Sequence, residues 1–89
     1  MNRRIFYKRS VEKDFRKLSR NLAERKELEA EIEKKLANNP AAGKELKGRY
    51  AGLRSLHIRY KFLVVYSILA DGILILAIEP REKSYKGNY

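Results

Sequence analysis

Hydrophobic positions in this chain change their spacing along its length, and the changes mark the elements. Residues 3–8 (RRIFYK) have room for a short strand, with weak alternation. From Val11 the period becomes helical: Val11, Phe15, Leu18 and Leu22 recur three or four residues apart. An amphipathic helix therefore begins after Ser10, a permissible N-cap. Asn21 followed by Glu24 has the spacing of a capping box, which starts a second helix near Leu22. Leu28, Ile32 and Leu36 form its apolar stripe, and the stretch ANNPAAG ends it, because Pro40 excludes continued helical bonding. The interruption Ser19-Arg20-Asn21 falls where the cap does, which favours a helical hairpin over one kinked helix.

Beyond a basic, glycine-containing segment (Lys44 to Gly52), Leu53 to Ile58 reads as a strand. Phe62 to Leu69 is apolar on both alternating faces, the mark of a central strand buried on both sides. Asp71-Gly72 is a hairpin turn, Ile73 to Ile78 returns as a further apolar strand, and Pro80 stops it. The order is β-α-α-β-β-β over a single domain spanning 1–89. The fold class is α+β, a helical hairpin packed on one face of a small four-stranded sheet. One hairpin covers only one face. The other is expected to be capped by Leu53, Tyr50, Tyr60, Phe62 and Tyr85 or by a partner, as a shallow basic concavity rimmed by aromatics.

Charge sharpens that picture. The net charge is +10 on 89 residues. Residues 1–10 carry +4, residues 44–61 carry +5, residues 62–89 balance, and eight bases meet seven acids over 11–43. The excess lies outside the helical region, on the opening segment and around His57. One positive face that attracts a polyanion or an acidic protein is the expectation; charge for solubility alone is the plainer alternative. There is no cysteine, hence no disulfide or thiolate chemistry. The longest apolar runs are too short to span a bilayer as helices, and the N-terminus lacks the apolar block of a signal peptide, so the reading is cytoplasmic, without membrane.

Few chemistries survive this inventory. One histidine, no cysteine and two aspartates, Asp14 and Asp71, give no convergent metal-ligand set, so no metal or other cofactor is expected. No nucleophile elbow accompanies His57, and GKELKG lacks the spacing of a phosphate-binding loop. Glutamates 27, 29, 31 and 33 read as a solvated helix surface. Metal-free cleavage of RNA by its own 2′-hydroxyl remains. It needs a base, an acid and positive charge for the phosphorane, which His, Lys, Arg and Tyr supply. His57 has the one ordinary pKa near neutrality. Arg54, Arg59, Lys61, Arg81 and Lys83 are candidates to hold phosphate, and Tyr60 and Tyr85 to stack on a base or donate a proton. Alternation puts Ser55, His57 and Arg59 on one side of a strand and Arg54, Leu56 and Ile58 on the other, if no bulge intervenes. A histidine unconnected with catalysis is the plain alternative.

The stretch LKGRYAGLRSLHIRYKFLVVYSI, Leu46 to Ile68, resembles the RelE/ParE superfamily of toxin-antitoxin toxins, and within it the RelE/YafQ-like mRNA interferases. PREKSYK, Pro80 to Lys86, resembles the C-terminal cluster of RelE-like toxins. The resemblance implies a ribosome-dependent mRNA endonuclease that enters the ribosomal A site, cuts the codon there, and is neutralised by a cognate antitoxin, expected to be acidic and to fold on binding. It also implies site residues: His57 falls on a functional histidine, Arg81 on a position held by histidine or arginine, and Tyr85 on the terminal aromatic. Lys61 stands in place of an aspartate and Lys44 in place of a histidine, while Leu63 stands where RelE-like members have a phosphate-binding arginine. The implied catalytic set is His57, Arg81, Tyr85 and Lys61, with Arg59, Lys83, Lys44, Tyr60 and Arg54 toward RNA. Two other readings stay open: a ParE-like inhibitor of DNA gyrase, and an inactive RNA- or protein-binding member of the fold.

Overall fold

The computed structural model describes residues 4–59 and 61–80. In chain order these form β1 (Arg4–Tyr7), α1 (Val11–Leu18), α2 (Leu22–Asn38), β2 (Lys44–Glu45), a 3-10 turn (Gly48–Tyr50), β3 (Arg54–Ile58), β4 (Phe62–Leu69) and β5 (Gly72–Pro80). The strands make one mixed sheet ordered β1-β5-β4-β3-β2. β1 runs parallel to β5, and the other pairs are antiparallel. The sheet has five strands where the sequence reading gives four. The added strand, β2, is two exposed residues at the edge, too short to show any alternation.

Local chemistry explains the helix boundaries. The Asn21 side chain accepts the Glu24 N–H at 2.9 Å, the forward half of the capping box. The Glu24 carboxylate reaches back one residue further than the pattern expects and accepts the Arg20 N–H at 3.2 Å. Ser10 stands at the start of α1 but makes no side-chain cap, since its own backbone is already helical (φ −63°, ψ −18°). α1 and α2 are thus separate helices, as the interruption at Ser19 implies.

Period then becomes packing. Val11 and Phe15 of α1 and Leu28, Ile32 and Leu36 of α2 meet Ile58, Val64, Tyr66, Ile73, Ile75 and Ile78 in one core between helices and sheet. Leu63 and Val65, on the alternate positions of β4, point the other way and are fully buried with Leu46 beneath Tyr50, Leu53, Leu76 and Ala77. β4 is therefore a central strand covered on both faces. Phe62 does not help cap the second face. It pairs with Ile58 and packs on the helix-side core, because it shares the phase of Val64 and Tyr66. Tyr60 and Tyr85 lie outside the described residues. Among the described residues no helix is long and apolar enough to cross a membrane.

The glutamates of α2 do more than face water. Glu29 holds Arg25 at 2.9 Å, Glu33 accepts the Tyr7 hydroxyl at 2.7 Å, and Glu31 holds Arg59 at 2.9 Å. Arg25 also makes a two-pronged bond to Glu12 of α1, both contacts 2.6 Å, and lies 4.8 Å over the Phe15 ring. The hydrogen bond from Arg25 holds the Glu12 carboxyl below its usual range. Burial, reinforced by Glu33, pushes the Tyr7 phenol up, so it stays a donor.

Tyr66 ties the α2–β2 connection to the core. Its hydroxyl donates to the Pro40 carbonyl at 2.7 Å and accepts the Gly43 N–H at 2.8 Å. Gly43 is required at this approach, since a Cβ there would stand 2.6 Å from that hydroxyl and 2.8 Å from the Ser55 carbonyl. Tyr66→Phe keeps the ring but leaves a donor and an acceptor unpaired, and is expected to cost about 1–3 kcal/mol. Urea unfolding monitored by circular dichroism reads this as a lowered midpoint at unchanged slope.

Candidate functional site on the open sheet face

The strand register assembles the site in two rows on the face away from the helices. In the first, Lys44 pairs with Ser55, Ser55 with Val65, and Val65 with Ala77. In the second, His57 pairs with Leu63 and Leu63 with Glu79. Leu63 and Val65 form a dry floor, His57 stands exposed on one side of it, and Glu79 lies across. Two strand spacings separate the His57 and Glu79 backbones, about 10 Å. Lys44, Glu45, Leu46, Lys47 and Tyr50 line a shallow groove beside the first row.

Glu79 reaches this face through an irregularity that no periodicity reveals. Val65 pairs with Ala77 but Tyr66 pairs with Ile75, so Leu76 is an extra residue on β5. Beyond the bulge the phase of the strand is reversed. Ile78 turns into the helix-side core and Glu79 to the open face; an unbroken register would exchange them.

The described part of the implied set divides between the two faces. His57 and Lys44 share the open face. Arg54 lies on the helix side, as alternation predicts, and donates from Nη1 to the Gly43 carbonyl at 3.0 Å. Arg59 does not share a face with His57. β3 ends at Ile58, and Arg59 begins the turn in the left-handed region (φ 55°). Its guanidinium crosses to α2, 2.9 Å from Glu31 and 3.7 Å from Glu27, and the bond to Glu31 raises its pKa. Lys61, at the other end of that turn, lines an exposed groove with Leu18, Arg20, Glu24 and Phe62 rather than the floor under His57. Tyr60, Arg81, Lys83 and Tyr85 lie outside the described residues. β5 ends at Pro80, paired with Phe62 and adjacent to the His57 row.

A two-helix layer on one face of a mixed sheet, with a second, smaller apolar cluster under the other face, is the fold of RelE/ParE-like toxins. Residues 5–85 match the family model described as ParE toxin of type II toxin-antitoxin system, parDE, and the chain belongs to that family. A chain of the RelBE2 toxin-antitoxin complex from Mycobacterium tuberculosis is similar at TM-score 0.77 and 20% identity, over 91% of this chain and 93% of that one. A conserved hypothetical protein from Helicobacter pylori, at TM-score 0.66, is 27% identical over 92% and 97%. YafQ from E. coli, at TM-score 0.67, is 19% identical over 93% and 98%. No curated protein matches the chain.

Proposed function

We propose that this toxin is a metal-independent endoribonuclease that cuts mRNA codons in the ribosomal A site and is held in check by a cognate antitoxin. The observation that carries the reading is His57: an exposed imidazole on the open face, beside the Leu63 floor and in the row that Glu79 completes. In the proposed reaction His57 serves as general acid or base. One proton leaves the 2′-oxygen as it attacks phosphorus, and one is delivered to the departing 5′-oxygen. Arg81 stabilises the phosphorane, Tyr85 orients the nucleotide, and Lys83, Lys61 and Lys44 attract flanking phosphates. Arg59, engaged by Glu31, is assigned to holding the β3–β4 turn against α2, and Arg54 to holding the Gly43 loop.

The antitoxin is the expected protein partner. A +10 surface favours an acidic chain that folds on contact, and the similar M. tuberculosis chain comes from a toxin-antitoxin complex. A cytoplasmic site of action follows from the same reading.

A second reading is a ParE-like toxin that inhibits DNA gyrase and cuts no RNA; the match to the ParE toxin family model favours it. Primer-extension mapping of a transcript in a reconstituted translation system separates the two. Cuts confined to A-site codons and dependent on ribosomes support the nuclease. An intact message with loss of gyrase supercoiling overturns it.

A further inference from the structure

β1 stops at Tyr7, paired with Ile75, so past that point β5 has no strand neighbour on its outer side among the described residues. The bulge at Leu76 turns the Ile78 N–H to that side. Asp14 of α1 meets it there: its Oδ2 accepts the Ile78 N–H at 3.0 Å, across 64 residues of sequence. This bond is made two residues before Pro80, at the last stretch of strand before the segment that carries Arg81. Of the first helix, Val11 and Phe15 are core and Asp14 alone reaches a strand backbone with its side chain among the bonds described.

Backbone N–H groups that have lost their ladder partner are normally paired elsewhere, so a structural account of Asp14 alone would be complete if Ile78 were far from chemistry. It is not. The bulge and the bond act on the same few residues and set one quantity, the phase of β5 at its end. With that phase, Ile78 is core, Glu79 joins the His57 row, and Pro80 pairs with Phe62. Were the end of β5 to slip by one residue, every side chain from Leu76 onward would change face.

We infer that Asp14 is a positioning residue of the site: by holding the Ile78 N–H it fixes the phase in which β5 ends, and with it the place of Glu79 in the His57 row. The role rests on the proposed nuclease reading for its activity readout, and on backbone order for a readout that does not need it. Asp14 touches no reacting atom.

Asp14→Ala, Asp14→Asn and, as a neighbouring helix control, Lys13→Ala test this together. Asn keeps a side-chain oxygen that can accept the N–H. In the translation system, Asp14→Ala is expected to lower the maximal cleavage rate roughly ten- to a hundredfold, the usual penalty of a misplaced catalytic group. The ribosome concentration for half-maximal rate stays unchanged, and Asp14→Asn restores most of the rate. By NMR, amide exchange at Ile78 and Glu79 accelerates in Asp14→Ala and not in Asp14→Asn or Lys13→Ala, while core amides such as Ile73 stay protected. Wild-type cleavage and wild-type exchange in Asp14→Ala overturn the inference. So does equal loss of activity and of core protection in both Asp14 variants, which marks a merely structural residue. If the wild-type protein cuts no codon, the nuclease reading has failed. Asp14 is then judged on the exchange pattern, where a local change at Ile78 and Glu79 upholds it and its absence overturns it.

Discussion

On the proposed nuclease reading, His57→Ala is expected to lower codon cleavage by roughly 10²- to 10⁴-fold, the usual contribution of a positioned acid or base, and to leave the fold standing. The second half of that result makes the first informative. His57 is exposed at the surface of β3, and the floor beneath it is Leu63, whose burial owes most to β4 and its neighbours. Removing an exposed imidazole there shifts stability by about 0.5 kcal/mol or less, so the thermal midpoint is expected to move little while the proposed growth inhibition is lost. Arg81→Ala behaves alike if the charge clamp is where the proposal puts it. Both variants are measured in the same ribosome-dependent assay with matched circular dichroism spectra. Retained cleavage in both removes His57 and Arg81 from the chemistry.

The largest effect on stability is expected at Phe15. Its ring is 2% exposed, lies 5.9 Å from the Tyr7 ring and carries the Arg25 guanidinium above it. Phe15→Ala therefore opens a cavity under three elements at once: α1, the start of α2 and β1. Truncations of buried phenylalanine cost about 3–5 kcal/mol, against total stabilities of roughly 5–15 kcal/mol for native domains. A chain of this size has little reserve. Phe15→Ala is expected to be mostly unfolded at 37 °C and to show a urea midpoint lowered by half or more. A midpoint within a tenth of wild type would mean that the α1–β1 contact carries little of the core. Arg25→Ala, which removes the guanidinium but leaves the ring, is expected to fall between the two.

Where one side chain meets one period, the sequence is a sufficient guide. The apolar stripes of both helices, the cap at Asn21 and the two-sided burial of β4 are written in spacing that backbone geometry must follow. Arg59 and Glu79 show where such reading stops. Arg59 leaves the face of His57 because one residue adopts a left-handed conformation, which alternation has no means to register. Glu79 joins that face because one residue, Leu76, is extra in the ladder, and an apolar run reads the same with or without a bulge. Asp14 was visible in sequence only as one of two aspartates; its partner is a backbone amide near the far end of the chain. Of the candidate site, the strand phase of His57 was legible, while the placement of Arg59 and Glu79 depends on contacts between segments that composition and period do not connect.

The parallel pairing of β1 with β5 also has a consequence in time. Arg4 finds Gly72, and Asp14 finds Ile78, only after nearly the whole chain has been synthesised. At about 5–20 residues per second, the first strand waits for several seconds with no neighbour, and contacts this distant in sequence also close slowly. The sheet corner that joins His57 to Glu79 is therefore among the last parts to form. Until β5 is made, the row that joins His57 to Glu79 does not exist.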